Sequence, residues 1–166
     1  MPRLDIHKTF MKIAEQIAQL SYAEKLKVGC ILVKDQNIVA TGYNGMPKGF
    51  DNQCENTEIL EAKLKEVSMT PGSHVIGLSD VTSKLKTKPE VLHAESNAIA
   101  KCSRSTVSSL GCEMYVTHAP CINCAKLIVQ SGISKVFYLN DYKRIDGLEL
   151  LIRANIKLEK IYYEIN

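Results

Sequence analysis

Two short stretches carry side chains that could act on one substrate: His93 and Glu95 in "HAESNAIA", and Cys121 and Cys124 in "HAPCINCAKL". Cysteines three positions apart at a helix entrance lie one turn apart on the same side, a common way to hold zinc. The N-terminal end of a helix favours negative charge, which eases ionisation of both sulfurs. Two thiolates leave the metal under-coordinated. One histidine more gives the three protein ligands and open fourth position of a catalytic zinc. His93 is the best candidate, ahead of His7, His74 and His118. On a regular helix positions i and i+2 point about 200° apart. His93 and Glu95 can therefore share a site only where the chain is entering the helix. Catalytic zinc brings the pKa of a water from 15.7 toward about 7. Glu95 can take that water's proton and hand it on, base first and acid second. Each half also has a plainer reading, since a histidine can simply cap a helix and C-x-x-C also serves redox pairs and structural zinc knuckles. The joint pattern is far more specific.

The flanking sequence supplies elements to hold these groups. Ile6, Phe10, Ile13, Ile17 and Leu20 form one apolar stripe of an amphipathic helix with Asp5 as a plausible cap. "KVGCILVK" and "IVATGYN", joined by Asp35-Gln36-Asn37, read as a β-hairpin. "NGMPKGF" is a loop whose glycines allow close backbone approach. Further on, "AESNAIAKCSR" reads as helix, "CEMYVTH" as strand, "CINCAKLIVQSG" as helix, "SKVFYLN" as strand, "DGLELLIRANI" as helix and "LEKIYYEI" as strand. The alternation predicts one α/β layered domain over 1–166 with a mixed sheet. Residues 51–92 read as an irregular insertion, with a helix over "CENTEILEAKLKEV".

Composition narrows the function classes. The 166 residues are 45% hydrophobic and 23% charged, ordinary for a globular domain, and the net charge is 21 − 18 = +3. That suits a small anionic ligand and falls short of a nucleic-acid binder. No apolar run reaches the roughly 20 residues of a membrane span, and "MPRLDIHKTF" lacks the apolar core of a signal peptide. A reducing, cytoplasmic setting is expected, with the six cysteines as thiols or metal ligands.

H-x-E followed by P-C-x-x-C is the zinc-deaminase pattern. With "KVGCILV", "GYNGMPKG", "HAESNAIA", "MYVT" and "PCINCAKLIVQSGI" in this order, nearly the whole chain resembles the deoxycytidylate (dCMP) deaminases of the cytidine deaminase-like superfamily. The resemblance implies a three-layer α/β/α sandwich around a five-stranded mixed sheet. It also implies hydrolysis of dCMP to dUMP and ammonia, feeding thymidylate synthesis. One catalytic Zn(2+) would be held by His93, Cys121 and Cys124, with Glu95 as proton shuttle. It further implies that Asn44 contacts the deoxyribose hydroxyl and that Val28 and Cys30 line the base pocket. Ala94, Ala119 and Pro120 would join the substrate site, the Ala119 carbonyl facing the leaving amino group, and Tyr142 would lie over the substrate. Among Lys27, Lys48, Lys143 and Arg144, Lys27 is favoured for the 5′-phosphate.

Relatives of this kind are implied to be homohexamers activated by dCTP and inhibited by dTTP. The effector triphosphate, with Mg(2+), would meet Asn44, Gly45, Met46, Pro47, Lys48 and Gly49. The plainer reading of that loop is a scaffold that delivers Asn44. A second, structural zinc seen in phage relatives is not expected, because the insertion offers only Cys54 and His74. Two other readings stay open here: deamination of another base or of a polynucleotide, and a non-catalytic zinc-stabilised module. The separation between Asn44 and His93, 93 − 44 = 49 positions, is similar to that in nucleotide-level deaminases. Aromatic content of 6% without tryptophan weighs against a polynucleotide groove.

Overall fold

The computed structural model describes residues 5–70 and 73–163, with backbone only over 60–81. Helix α1 (Ile6–Ala18) begins where the Asp5 carboxylate accepts the backbone N–H groups of His7 and Lys8. Its buried face is Phe10, Met11, Ala14 and Ala18, whereas Ile6 and Leu20 at the ends of the expected stripe are exposed. The shift follows from packing distance. At Gly29 of β1 (Gly29–Lys34) an added Cβ would lie 2.0 Å from the Ala14 carbonyl oxygen, so small residues occupy the contact and larger ones flank it.

β1 returns through Asp35 and Gln36, both in the left-handed region (φ 49° and 62°), into β2 (Asn37–Tyr43), as a two-residue primed turn requires. The remaining framework is α2 (Ala94–Cys102), β5 (Glu113–His118), α3 (Ile122–Gln130), β6 (Lys135–Asn140), α4 (Asp146–Arg153) and β7 (Lys157–Lys160). The sheet runs β2-β1-β5-β6-β7. β1 is antiparallel to β2 and β5, while β5, β6 and β7 are parallel.

Alternation along the strands feeds two cores. Cys30, Leu32, Met114, Val116 and Val136 face Ala94 and Ala98 of α2, Ala125 and Ile128 of α3 and Leu151 of α4. Ile31, Val33, Tyr115 and Phe137 face Phe10, Met11 and Ala14 of α1. The expected α/β/α sandwich with a five-stranded mixed sheet is thus the observed fold.

The insertion differs from expectation. β3 (Glu55–Thr70) and β4 (Ser73–Thr87) form an antiparallel hairpin separate from the main sheet, and the helix expected over "CENTEILEAKLKEV" is strand. Glu, Leu, Ala and Lys favour helix locally, but propensity is a weak prior once a partner strand satisfies the backbone. At the hairpin's base Glu55 pairs with Thr87. Among the described residues no helix is long and apolar enough to cross a membrane.

Candidate active site

His93 is the N-cap of α2, extended at φ −75° and ψ 156°, and Glu95 is the second helical residue. This solves the angular problem, because His93 leaves the chain before helical geometry begins. The turn is fixed from behind: Leu92 and Gly45 exchange backbone hydrogen bonds at 2.9 and 3.1 Å, and the Asn97 amide donates to the Tyr43 carbonyl at 2.9 Å. Cys121 occupies the equivalent N-cap of α3 (φ −73°, ψ 169°), and Cys124 is the third helical residue. Neither side chain is spent on a capping hydrogen bond, so both are available as ligands.

His93 Nδ1 lies 3.5 Å from Cys121 Sγ and 3.4 Å from Cys124 Sγ. A zinc tetrahedron with Zn–N of about 2.0 Å and Zn–S of about 2.3 Å has N···S edges of about 3.5 Å. The donor set therefore fits Zn(2+) in both chemistry and spacing. Among the described residues this is the one such cluster of three or more ligating side chains. Cys54 is buried elsewhere against Ala23 and Val91, and the His74 side chain lies outside the described residues. Metal analysis of purified protein should accordingly find one zinc per chain; two equivalents would require a second site.

Hydrogen bonding between the two cysteines lowers Cys121 below the ordinary thiol range and raises Cys124 above it. Hydrogen bonding with Cys121 raises His93 against the effect of burial. Glu95 is only 4% exposed, and burial raises its carboxyl above the ordinary carboxylate value. His93, Ala94, Glu95 and Cys121 open onto a cavity whose other walls include Val28, Asn44, Ala119 and Tyr142.

The sequence matches the cytidine and deoxycytidylate deaminase zinc-binding region over residues 4–140. It is 37% identical over 138 residues to the deoxycytidylate deaminase of Mycobacterium phage D29, spanning 83% of this chain and 97% of that one. It is 33% identical over 162 residues to ComE operon protein 2 of Bacillus subtilis, spanning 97% and 74%. The dCMP deaminase of cyanophage S-TIM5, solved in complex with dCMP and dUMP, superposes with a TM-score of 0.75 at 36% identity, covering 97% of this chain and 100% of that one. The chain belongs to the cytidine and deoxycytidylate deaminase family.

In this deaminase most of the residues expected at the site meet at one cavity, with instructive exceptions. Pro120 is buried with its carbonyl turned toward Gly147 and is not among the residues lining the cavity. Cys30 is fully buried in the core, a small apolar filler beneath the site. Lys27 is exposed and not among the lining residues; the chain bends at Glu24 and Lys25, and Lys25, also exposed, lines the cavity instead. Lys143 also lines the cavity, while Arg144 pairs with Asp146 at 2.7 Å. Gly45–Gly49 are not among the lining residues: Gly45 is bonded to Leu92, and Met46 packs on Ala23, Cys54 and Val91.

Lys25, Leu26, Glu55, Thr87, Val91 and His118 also line the cavity and were not anticipated. Glu55, Thr87 and Val91 come from the hairpin and the segment after it, where a helix or irregular chain was expected. His118, set aside as a metal ligand by the sequence pattern, lies at the cavity instead. It sits half-buried at the end of β5, where burial pushes its imidazole below the ordinary value.

Proposed function

We propose that this deaminase hydrolyses dCMP to dUMP and ammonia, in the cytoplasm and upstream of thymidylate synthesis. The observation that carries the substrate is Lys25 and Lys143 on the walls of the cavity that holds Glu95, neither in an ion pair among the described residues. Two free ammonium groups suit a 5′-phosphate held as point charges. The S-TIM5 enzyme, similar over almost the full chain, was solved with dCMP and dUMP, which supports the same pair here.

His93, Cys121 and Cys124 would hold zinc, which when bound supplies a Lewis acid that makes hydroxide available near neutral pH. As the water oxygen bonds C4, Glu95 accepts one of its protons and passes it to ring N3. It then carries the second, from the C4 hydroxyl, to the amino group, so the C4–N bond breaks with ammonia leaving, C4 becomes a carbonyl and the carboxylate is unchanged. Ala94 and Val28 pack on the base, the Ala119 carbonyl accepts from the amino group, and Tyr142, 36% exposed at the rim, covers the substrate. Asn44 already accepts from the Val28 N–H at 2.7 Å and donates to the Leu26 carbonyl at 2.8 Å. Its amide retains one hydrogen and one lone pair for the deoxyribose hydroxyl.

We also read the Asn44–Gly49 loop as the site through which dCTP with Mg(2+) activates and dTTP inhibits. Its bond to Leu92, the residue before His93, gives it a mechanical route to the metal ligands. Leu127, Ile145 and Ile152, exposed on or beside α3 and α4, would be covered in a homohexamer.

The test is turnover of dCMP, CMP, deoxycytidine and dCTP, followed by loss of cytosine absorbance. Only dCMP should be rapidly consumed. Lys25→Ala and Lys143→Ala should each lower kcat/KM for dCMP by roughly tenfold. Equal turnover with and without the phosphate would defeat the substrate assignment.

A further inference from the structure

Residues 19–28, which link α1 to β1, form no regular element and are held by side chains from elsewhere. Asn44 holds the second half through Leu26 and Val28. Ser21 ties the first half back by donating its hydroxyl to the Asn44 carbonyl at 2.7 Å. The bend between them is held by Glu55, whose Oε2 accepts the Glu24 N–H at 3.3 Å and whose Oε1 accepts the Lys25 N–H at 3.4 Å.

Glu55 is only 6% exposed and forms no ion pair among the described residues. Burying a carboxylate is unfavourable unless donors replace its water. Here those donors are the two backbone groups of the bend that carries Lys25. Glu55 also lines the catalytic cavity from the base of the β3–β4 hairpin, paired there with Thr87. One carboxylate thus joins the hairpin to the segment that brings a cation to the cavity wall.

We propose that Glu55 is a positioning residue that sets Lys25 for the substrate's phosphate, so that the hairpin contributes to recognition of a 5′-monophosphate. This rests on the reading of Lys25 given above. A carboxylate is required, because only two acceptor oxygens can take both N–H groups. A glutamine of the same shape would turn its own NH2 toward one of them.

The test compares wild type, Glu55→Gln, Glu55→Asp, Lys25→Ala and the Glu55→Gln/Lys25→Ala double variant. Glu55→Gln should raise KM for dCMP by about tenfold with kcat within about twofold. Glu55→Asp, with both acceptors one methylene short, should fall between it and wild type. Inhibition by 2-deoxyribose 5-phosphate should weaken in step with KM, whereas inhibition by deoxycytidine should not change. The double variant should lose no more than Lys25→Ala alone, since the carboxylate acts through that lysine. Equal weakening of both inhibitors, or additive losses, would make Glu55 a purely structural support and overturn the proposal, as would an unaltered Glu55→Gln. Thermal midpoints identify any variant that fails to fold, and Glu55→Asp then carries the comparison. Wild-type protein that binds the sugar phosphate without consuming dCMP would defeat the functional reading while leaving Glu55 to be judged on the phosphate probe.

Discussion

Glu95→Gln should lower kcat for dCMP by roughly 10²–10⁴-fold while the protein keeps its zinc and its thermal midpoint. Glutamine fills the same volume at the second position of α2, where the native side chain is 4% exposed. The entry into the helix, and with it His93, therefore keeps its geometry. The amide has no basic oxygen to take a proton from water and no acidic proton to return. On stability two effects oppose each other. A negative charge in the first turn of a helix is worth about 0.3–1 kcal/mol, but burial disfavours this carboxylate, as its raised pKa shows. The change in midpoint should be small and of either sign. Single-turnover measurements on zinc-loaded protein separate chemistry from product release. A variant keeping more than about a tenth of wild-type kcat would remove Glu95 from the proton transfers.

The ligand set was legible because it depends on short-range chemistry. Two N-caps and one C-x-x-C spacing are set within a few residues, and His93, Glu95, Cys121 and Cys124 could be named from local sequence alone. Strands β1, β2, β5 and β6 were legible for the same reason, since an alternating apolar run between turn residues has few other uses. The hairpin was not. Its strand pairing is a relation between "ENTEILEAKLKEVSMT" and "SHVIGLSDVTSKLKT", and the first of these contains good helix formers. Missing that pairing hid Glu55 and Thr87, which reach the cavity only because they face each other at its base. That Lys25 lines the cavity while the favoured Lys27 does not was hidden for a related reason. The backbone at Lys25 is held by Glu55, some 30 residues away in sequence. Cavity walls built by long-range contacts are where sequence spacing loses its power.

Gly42→Ala and Gly147→Ala should both damage catalysis, although neither glycine bears a functional group. A Cβ at Gly42 would stand 2.1 Å from the Ala94 carbonyl oxygen and 2.5 Å from the Ala98 nitrogen. These are backbone atoms of α2, so relief requires the helix to move, and Ala94 lies between His93 and Glu95. At Gly147, in the first turn of α4, a Cβ would meet the Pro120 carbonyl oxygen at 2.0 Å and the Cys121 carbonyl carbon at 2.7 Å. There α3's entry, with its metal ligand, must give way. Relieving either clash needs a shift of about 1 Å, and misplacement on that scale costs about 10²-fold in rate. Overpacking adds a stability loss of about 1–3 kcal/mol. Gly29→Ala is the informative comparison, because its Cβ would meet the Ala14 carbonyl oxygen of α1 at 2.0 Å, on the opposite face of the sheet. It should lose comparable stability but less kcat in the folded fraction. Gly147→Ala should also release zinc at lower chelator concentration than Gly42→Ala, since its clash falls on the backbone of Cys121 itself. If all three variants lost stability and kcat in the same proportion, the close approaches at Gly42 and Gly147 would be ordinary packing. Their bearing on the site would then be no greater than that of Gly29.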